Sequence, residues 1–303
     1  MKKMLILSKD FEYWKDKLSY LKDLEISKNI FDKKIEIIFG HEEDILPINF
    51  KNYPKLKWIQ ILSAGISNKL IKDKSTLKPL ITTSKGIHGQ AMFEYVLQGL
   101  LVLKNKNTFS VKNFNNWNRI RRDLALRPKQ KILLLGLGNI GKYLADKFYS
   151  LDFIIDAFAT KSRKDKHIAE VYTSVNQILL TQYSVIISTL PLTINTKKLI
   201  NKIFLNQMNR EAIFVNLGRG ETVDEHALFL KLKKKEIGGA ILDVHSNEPV
   251  KKNFLFKNLD NCLCSPHISG YFNGSHDLFI SKFEKLFQLY ILKKLKSEVN
   301  KNI

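Results

Sequence analysis

Apolar positions recur along this chain in two alternating rhythms. Short, nearly continuous apolar runs occur at Met4–Ser8, Lys34–Phe39, Leu56–Leu62, Leu80–Thr83, Lys131–Leu135, Phe153–Phe158, Val185–Thr189, Ala212–Asn216, Ala240–Val244 and Asn261–Ser265. Runs this short, rich in Ile, Leu and Val and bounded by polar or glycine positions, predict strands buried on both faces. Between them apolar residues return every three or four positions, the spacing of helices with one buried face. Strands alternating with helices predict parallel sheets covered by helices on both sides. The clearest helical stretches are Ala91–Lys106 and His276–Leu295. In the second, Leu278, Phe279, Phe283, Leu286, Phe287 and Tyr290 share a face that is expected to fold back on the first domain.

The position of one glycine-rich turn divides the chain. Gly136–Gly141 comes too late to serve the first four strands, so those strands need a domain of their own. Residues 1–101, joined by 271–303, are expected to form a substrate domain, and residues 102–270 a dinucleotide-binding domain. The fold class expected is α/β, two Rossmann-like domains with parallel sheets and a cleft between them. The polar segment Asn107–Lys129 carries no strand pattern and is the expected hinge. A length of 303 residues also exceeds what one hydrophobic core usually organises.

Composition removes several classes of function. An apolar fraction of 44% and a charged fraction of 26% are ordinary globular values, and no run approaches the ~20 apolar residues of a membrane span. Met4–Leu7 is too short for the core of a secretory signal, so the cytoplasm is the expected compartment and no membrane partner is expected. The net charge of +21 raises nucleic acid as a partner. Lysines are scattered through every segment, however, and the cluster Lys231, Lys233, Lys234 and Lys235 reads as the solvated face of a helix, so no specific nucleic acid is expected. Cys262 and Cys264 fall on one face of a strand, too far apart along it to pair easily and without the further ligands a metal needs, so no metal is expected.

The segment Lys131-Ile-Leu-Leu-Leu-Gly136-Leu-Gly138-Asn139-Ile140-Gly141 is a buried strand running through glycines into a helix. Gly136 permits the tight turn, Gly138 lets the backbone approach a pyrophosphate, and Gly141 lets helix pack on strand, with helix N-terminal amides facing the anion. A dinucleotide is the cofactor this implies. An NAD-preferring site places Asp or Glu at the end of the next strand, beside the adenosine ribose. Here Ala159 stands at that place, followed by Thr160, Lys161, Ser162 and Arg163, which offer hydroxyls and positive charge to a 2′-phosphate. NADP(H) is therefore favoured over NAD(H), with Asp156 able to reach the ribose if the strand register is shifted.

Three later segments each follow or end an apolar strand: Val215–Gly220 around Arg219, Leu242–Pro249 around Glu248, and Ser265–Gly270 around His267. In an open parallel sheet the carboxyl ends of strands face the ligand, so these residues can converge on the nicotinamide. Arg219 can grip a substrate carboxylate with its fork and polarise the adjacent carbonyl. His267 can give its proton to the carbonyl oxygen and take it back in the oxidative direction. Glu248, bonded to the other ring nitrogen, orients the imidazole. His41, His88, His226 and His245 have no comparable context.

The chain also resembles a known family over nearly its whole length, the D-isomer-specific 2-hydroxyacid dehydrogenases. The resemblance rests on Trp58–Gly65, Gly86–Tyr95, Gly136–Gly141, Thr189-Leu-Pro191-Leu-Thr193, Asn216–Gly220 with Val223 and Asp224, and the Glu248 and His267 segments. It implies a small 2-keto or 2-hydroxy acid as substrate and a homodimer formed through the nucleotide domain. It also implies a second carboxylate clamp from the backbone of Ala64 and Gly65, nicotinamide-side contacts from Leu190, Pro191 and Asp243, and further cofactor contacts from Leu217, Gly218 and Gly270. The missing ribose carboxylate and the basic loop look most like glyoxylate and hydroxypyruvate reductases. A formate dehydrogenase is disfavoured because Pro266-His267-Ile-Ser lacks the Gln arrangement of that site. A corepressor-like nucleotide sensor that binds a partner remains the alternative from another class.

Overall fold

In a computed structural model that describes residues 1–66, 70, 79–104, 130–162 and 164–296, the chain divides into two compact units, residues 1–87 with 272–303 and residues 88–271. Each unit is built on a wholly parallel sheet. In the first, β1 (Lys2–Leu7), β2 (Leu24–Ser27), β3 (Ile37–Gly40), β4 (Trp58–Ile61) and β5 (Leu80–Thr82) are ordered β2-β1-β3-β4-β5. Successive side chains leave a strand on opposite faces, so the near-continuous apolar runs supply two cores at once. Met4, Ile6, Ile37, Phe39 and Trp58 fill one face, with Phe279, Phe283 and Phe287 of the terminal helix Ser275–Ile291. Leu5, Ile38, Ile59, Ile61 and Ile81 fill the other. Phe283 stacks on Trp58 at 5.2 Å between ring centroids, and the buried indole N–H donates to Thr82 Oγ1 at 2.7 Å.

The second unit holds β6 (Lys131–Leu135), β7 (Ile154–Phe158), β8 (Glu170–Tyr172), β9 (Tyr183–Ser188), β10 (Ile213–Asn216), β11 (Gly239–Leu242) and β12 (Cys262–Cys264), ordered β12-β11-β10-β9-β6-β7-β8. Leu133, Leu135, Ile186, Phe214 and Leu242 face one core, and Ile132, Leu134, Ile155, Ile187 and Val215 the other. The chain leaves β6 towards β7 and β8 on one side, then returns through β9 to build the rest on the opposite side. That reversal opens a crevice outside the carboxyl ends of β6 and β9, where open α/β sheets take ligands.

Both sheets are the two parallel Rossmann-like layers expected, and each apolar run named above overlaps a strand. Two strands are additional, β2 and β8, and both lie at a sheet edge. An edge strand has one neighbour and an open face, so Leu-Glu-Ile-Ser and Glu-Val-Tyr are too short and too polar to stand out as buried runs. The helix Gly89–Lys104, expected with the first domain, groups with the second unit. Its Met92, Val96 and Leu100 pack into the core with Ile132 and Leu134. At Gly99 an added Cβ would come within 2.7 Å of Ile241, so the glycine lets the helix lie close on β11. The expected hinge Asn107–Lys129 lies outside the described residues. No helix among the described residues is long and apolar enough to cross a membrane.

Candidate active site

The turn after β6 is shaped by backbone proximity. Gly136 has φ +104°, a left-handed conformation that disfavours any side chain. A Cβ at Gly141 would lie 2.1 Å from the Gly136 carbonyl oxygen, so the helix Asn139–Tyr149 can rise directly from the turn only with glycine there. Gly138 is the N-cap of that helix, makes no side-chain cap bond, and has open space where a Cβ would be. The first amides of the helix, with the positive end of its dipole, thus meet an open approach that a pyrophosphate fits. Asn139 is exposed and Ile140 half-buried at this rim.

Thr160, Lys161 and Ser162 are all exposed in the loop after β7, next to the half-buried Ala159. Arg163 lies outside the described residues. The alternative that Asp156 reaches the ribose does not hold. Asp156 is 1% exposed, accepts a 2.8 Å bond from Tyr183 Oη and lies 3.6 Å from Lys131 Nζ. Burial, then the Asp156 carboxylate, push the Tyr183 hydroxyl far above its ordinary value, which keeps it a donor.

The loops after β9, β10 and β11 nest through two glycines. A Cβ at Gly218 would fall 2.4 Å from the Leu190 carbonyl oxygen, and one at Gly220 would fall 2.0 Å from the His245 carbonyl carbon. Arg219 is therefore clamped between the Leu190–Pro191 turn on one side and the β11 loop on the other. Leu190 and Leu217 are buried beside it, while Pro191 is exposed. Asn216 Nδ2 and Thr222 Oγ1 both donate to the Arg219 carbonyl, at 3.1 and 2.6 Å. Arg219 Nη1 donates to the Gly218 carbonyl at 2.7 Å. No salt bridge joins the guanidinium to any described residue, so most of its fork is available to a carboxylate.

His267 Nδ1 lies 2.9 Å from Glu248 Oε2, and Glu248 Oε1 accepts the His245 backbone N–H at 2.8 Å. Both carboxylate oxygens are thus held, one by the chain and one by the ring. The histidine side chain is 50% exposed. Its φ of 57° is left-handed, a conformation costing a non-glycine residue about 1 kcal/mol. The surroundings hold it there: His267 N donates to the Asp243 carbonyl at 2.8 Å. Asp243 Oδ1 accepts from Ser265 Oγ at 2.6 Å and Ile268 N at 2.7 Å, while Oδ2 accepts from Ser269 N and Ser269 Oγ. Tyr95 Oη adds a 2.6 Å bond to Ser265 Oγ, and burial pushes the Tyr95 hydroxyl up to about 12. Asp243, 1% exposed, thus anchors the loop that presents His267. Gly270 ends that loop with its carbonyl 3.1 Å from His88 Nδ1.

Ser265, Ser269, Tyr95 and His245 are participants that sequence reasoning missed. His245 Nε2 donates to the Ser265 carbonyl at 3.0 Å, tying the β11 loop to the β12 loop. A serine on either side of Pro266-His267 was the available signal. Asp243→Asn leaves both Ser269 donors facing an amide in place of a carboxylate, and is expected to destabilise the protein by about 2–3 kcal/mol, read by chemical denaturation; an unchanged midpoint would remove its anchoring role. Ala64 and Gly65 belong to the first unit, in the turn after β4, where Ser63 Oγ donates to the Gly65 carbonyl at 2.6 Å.

A turn whose open amides suit an anion, an available guanidinium and a carboxylate-oriented imidazole, all at strand ends of one sheet, suit reduction of a carbonyl next to a carboxylate. Comparison with known proteins agrees. Residues 104–269 match the model of the D-isomer specific 2-hydroxyacid dehydrogenase NAD-binding domain. A glyoxylate reductase of Pyrococcus horikoshii is 28% identical over 91% of this chain and 84% of its own length. A D-isomer specific 2-hydroxyacid dehydrogenase family protein from Aeromonas salmonicida superposes with a TM-score of 0.83 at 25% identity, over 99% of each chain. An NADPH-dependent glyoxylate/hydroxypyruvate reductase from Sinorhizobium meliloti, in complex with NADP and sulfate, superposes with a TM-score of 0.80 at 18% identity, over 98% of this chain and 97% of its own. This chain belongs to the D-isomer specific 2-hydroxyacid dehydrogenase family, the NAD(P)-dependent oxidoreductases that act on 2-hydroxy acids.

Proposed function

We propose that the protein is a cytoplasmic, homodimeric 2-keto acid reductase that uses NADPH to reduce glyoxylate or hydroxypyruvate. The observation that carries this reading is the His267–Glu248 pair at 2.9 Å, presented on a strand-end loop of the same sheet as Arg219 and the Gly136–Gly141 turn. Backbone at Gly138, Asn139, Ile140 and Gly141 holds the pyrophosphate. Leu190, Pro191, Leu217, Gly218 and Gly270 border the nicotinamide, and Asp243 acts there through the loop it anchors. The bound cofactor supplies a hydride to the substrate carbonyl carbon. Arg219 binds the substrate carboxylate, with the backbone of Ala64 and Gly65 as the second clamp, and draws negative charge towards the carbonyl oxygen. His267 gives its Nε2 proton to that oxygen, and Glu248 holds the ring while it does so.

NADPH is favoured because Thr160, Lys161 and Ser162 present hydroxyls and a positive charge where an NAD site places a carboxylate. The S. meliloti neighbour, described with NADP, supports the same choice. Lys161→Glu is expected to lower the NADPH-to-NADH ratio of kcat/KM by about tenfold or more, since it replaces an attraction for the 2′-phosphate with a repulsion. A ratio that does not move would take Lys161 out of cofactor selection. The direct test of the whole reading is loss of absorbance at 340 nm with NADPH and NADH, each against glyoxylate, hydroxypyruvate, pyruvate and phenylpyruvate. Turnover with glyoxylate or hydroxypyruvate and NADPH is expected, and sedimentation velocity reads the dimer. The corepressor-like alternative is not favoured, because the acid, its orienting partner and the carboxylate grip are all present.

A further inference from the structure

The chain contains two cysteines, and both stand on β12, the edge strand of the second sheet. Strand spacing alone set their side chains apart, yet rotation about the side-chain bonds brings the two sulfurs to 3.7 Å, in van der Waals contact. Cys264 is exposed and Cys262 half-buried. Among the described residues they line a shallow pocket with Lys251, Lys252, Lys257 and Phe254. The hydrogen bond with Cys262 holds the Cys264 thiol below its ordinary value, against burial and the nearby Glu225 carboxylate. A thiol so placed is the better nucleophile of the pair, and its neighbour is already at hand to resolve what it forms.

The position of the pair matters as much as its chemistry. Ser265, the residue after Cys264, donates to Asp243 and so belongs to the network that holds His267. On the other side of the pocket, Val250, Lys251 and Lys252 come just after Glu248-Pro249. The pocket that the two sulfurs line is thus bordered by these residues and by Cys264, just before the loop that presents His267.

We infer that Cys262 and Cys264 form a dithiol that hydroperoxides oxidise reversibly to an intrachain disulfide, and that closing this bridge slows the enzyme by displacing the His267 loop. Cys264 sulfur attacks one peroxide oxygen, the O–O bond breaks, and the second oxygen leaves as water with the thiol proton. Cys262 sulfur then attacks the resulting sulfenic sulfur, the S–O bond breaks, and that oxygen leaves as a second water. Two thiols and one hydrogen peroxide give one disulfide and two waters, the sulfurs losing two electrons and the peroxide gaining them. Residues i and i+2 of a strand have Cα atoms about 6.5 Å apart, close to the upper end of the roughly 4.4–6.8 Å that a disulfide spans. Most disulfides hold their Cα atoms about 5.5–6 Å apart, so closure to an unstrained bridge draws β12 in. An edge strand, paired only with β11, can give in this way.

The experiment treats the purified full chain with hydrogen peroxide, quenches with catalase, and follows intact mass, thiol titre and keto acid turnover together. The expected result is loss of the mass of two hydrogens and of both thiols. Turnover should fall roughly tenfold, as displacements near 1 Å at a reacting group can cost up to about 10²-fold, and dithiothreitol should restore it. Cys264→Ser should keep its turnover under peroxide. Persistence of both thiols, disulfide-linked dimers in place of the intrachain bridge, a bridge with unchanged turnover, or equal peroxide sensitivity in Cys264→Ser would each overturn the inference. The mass and thiol readings stand whichever keto acid is the substrate, so their failure is separate from failure of the proposed function.

Discussion

His267→Ala is expected to lower kcat about 10²–10⁴-fold, the usual worth of a positioned proton donor, while NADPH binding stays unchanged. The ring is half-exposed and contacts Glu248 through Nδ1, so its removal opens no cavity and should leave the fold intact. Alanine in the left-handed conformation at this position carries the same cost of about 1 kcal/mol that histidine already bears. Single-turnover absorbance at 340 nm separates the chemical step from product release, and fluorescence titration reads cofactor affinity. Glu248→Gln should show a smaller loss, since it keeps a hydrogen-bond acceptor on the ring and loses only the charge. Wild-type turnover in His267→Ala would remove His267 from the mechanism.

Arg219→Met is expected to lower kcat/KM for 2-keto acids about 10²–10³-fold, the scale observed when one preorganised transition-state donor is deleted. Methionine keeps much of the length of the side chain without its fork. Arg219→Lys keeps the charge and loses the bidentate geometry, so it should fall between wild type and Arg219→Met. The discriminating substrate is hydroxyacetone, a carbonyl compound without a carboxylate. If Arg219 acts by gripping the carboxylate, the slow reduction of hydroxyacetone should change far less than that of glyoxylate. Equal losses on both would assign Arg219 a structural role, consistent with its bond to the Gly218 carbonyl.

Legibility differed from residue to residue for identifiable reasons. Lys131–Leu135 was readable as a strand to its last residue because a central parallel strand is apolar on both faces and ends at a glycine. The glycines at 136, 138 and 141 were readable because each answers a backbone constraint that needs no knowledge of partners. Glu248 and His267 were readable as types in context, but their 2.9 Å contact required the loops of β11 and β12 to be neighbours. Asp243 was readable only as a strand-end carboxylate, and its partners within the chain, Ser265, Ile268 and Ser269, came from the tertiary structure.

Sequence by itself determined the α/β class, the sequence of buried strands, the dinucleotide turn and the chemical types at positions 219, 248 and 267. These follow from local rules: the periodicity of burial, the conformational freedom of glycine, and the chemistry a side chain carries wherever it lies. Tertiary structure decided which sheet Gly89–Lys104 covers, that Asp156 is shut inside the sheet with Tyr183, and that Cys262 and Cys264 touch. It also joined Tyr95 to Ser265 across 170 residues of chain. Partnerships of that kind depend on strand order and side-chain rotation, and a pattern read along the chain carries neither.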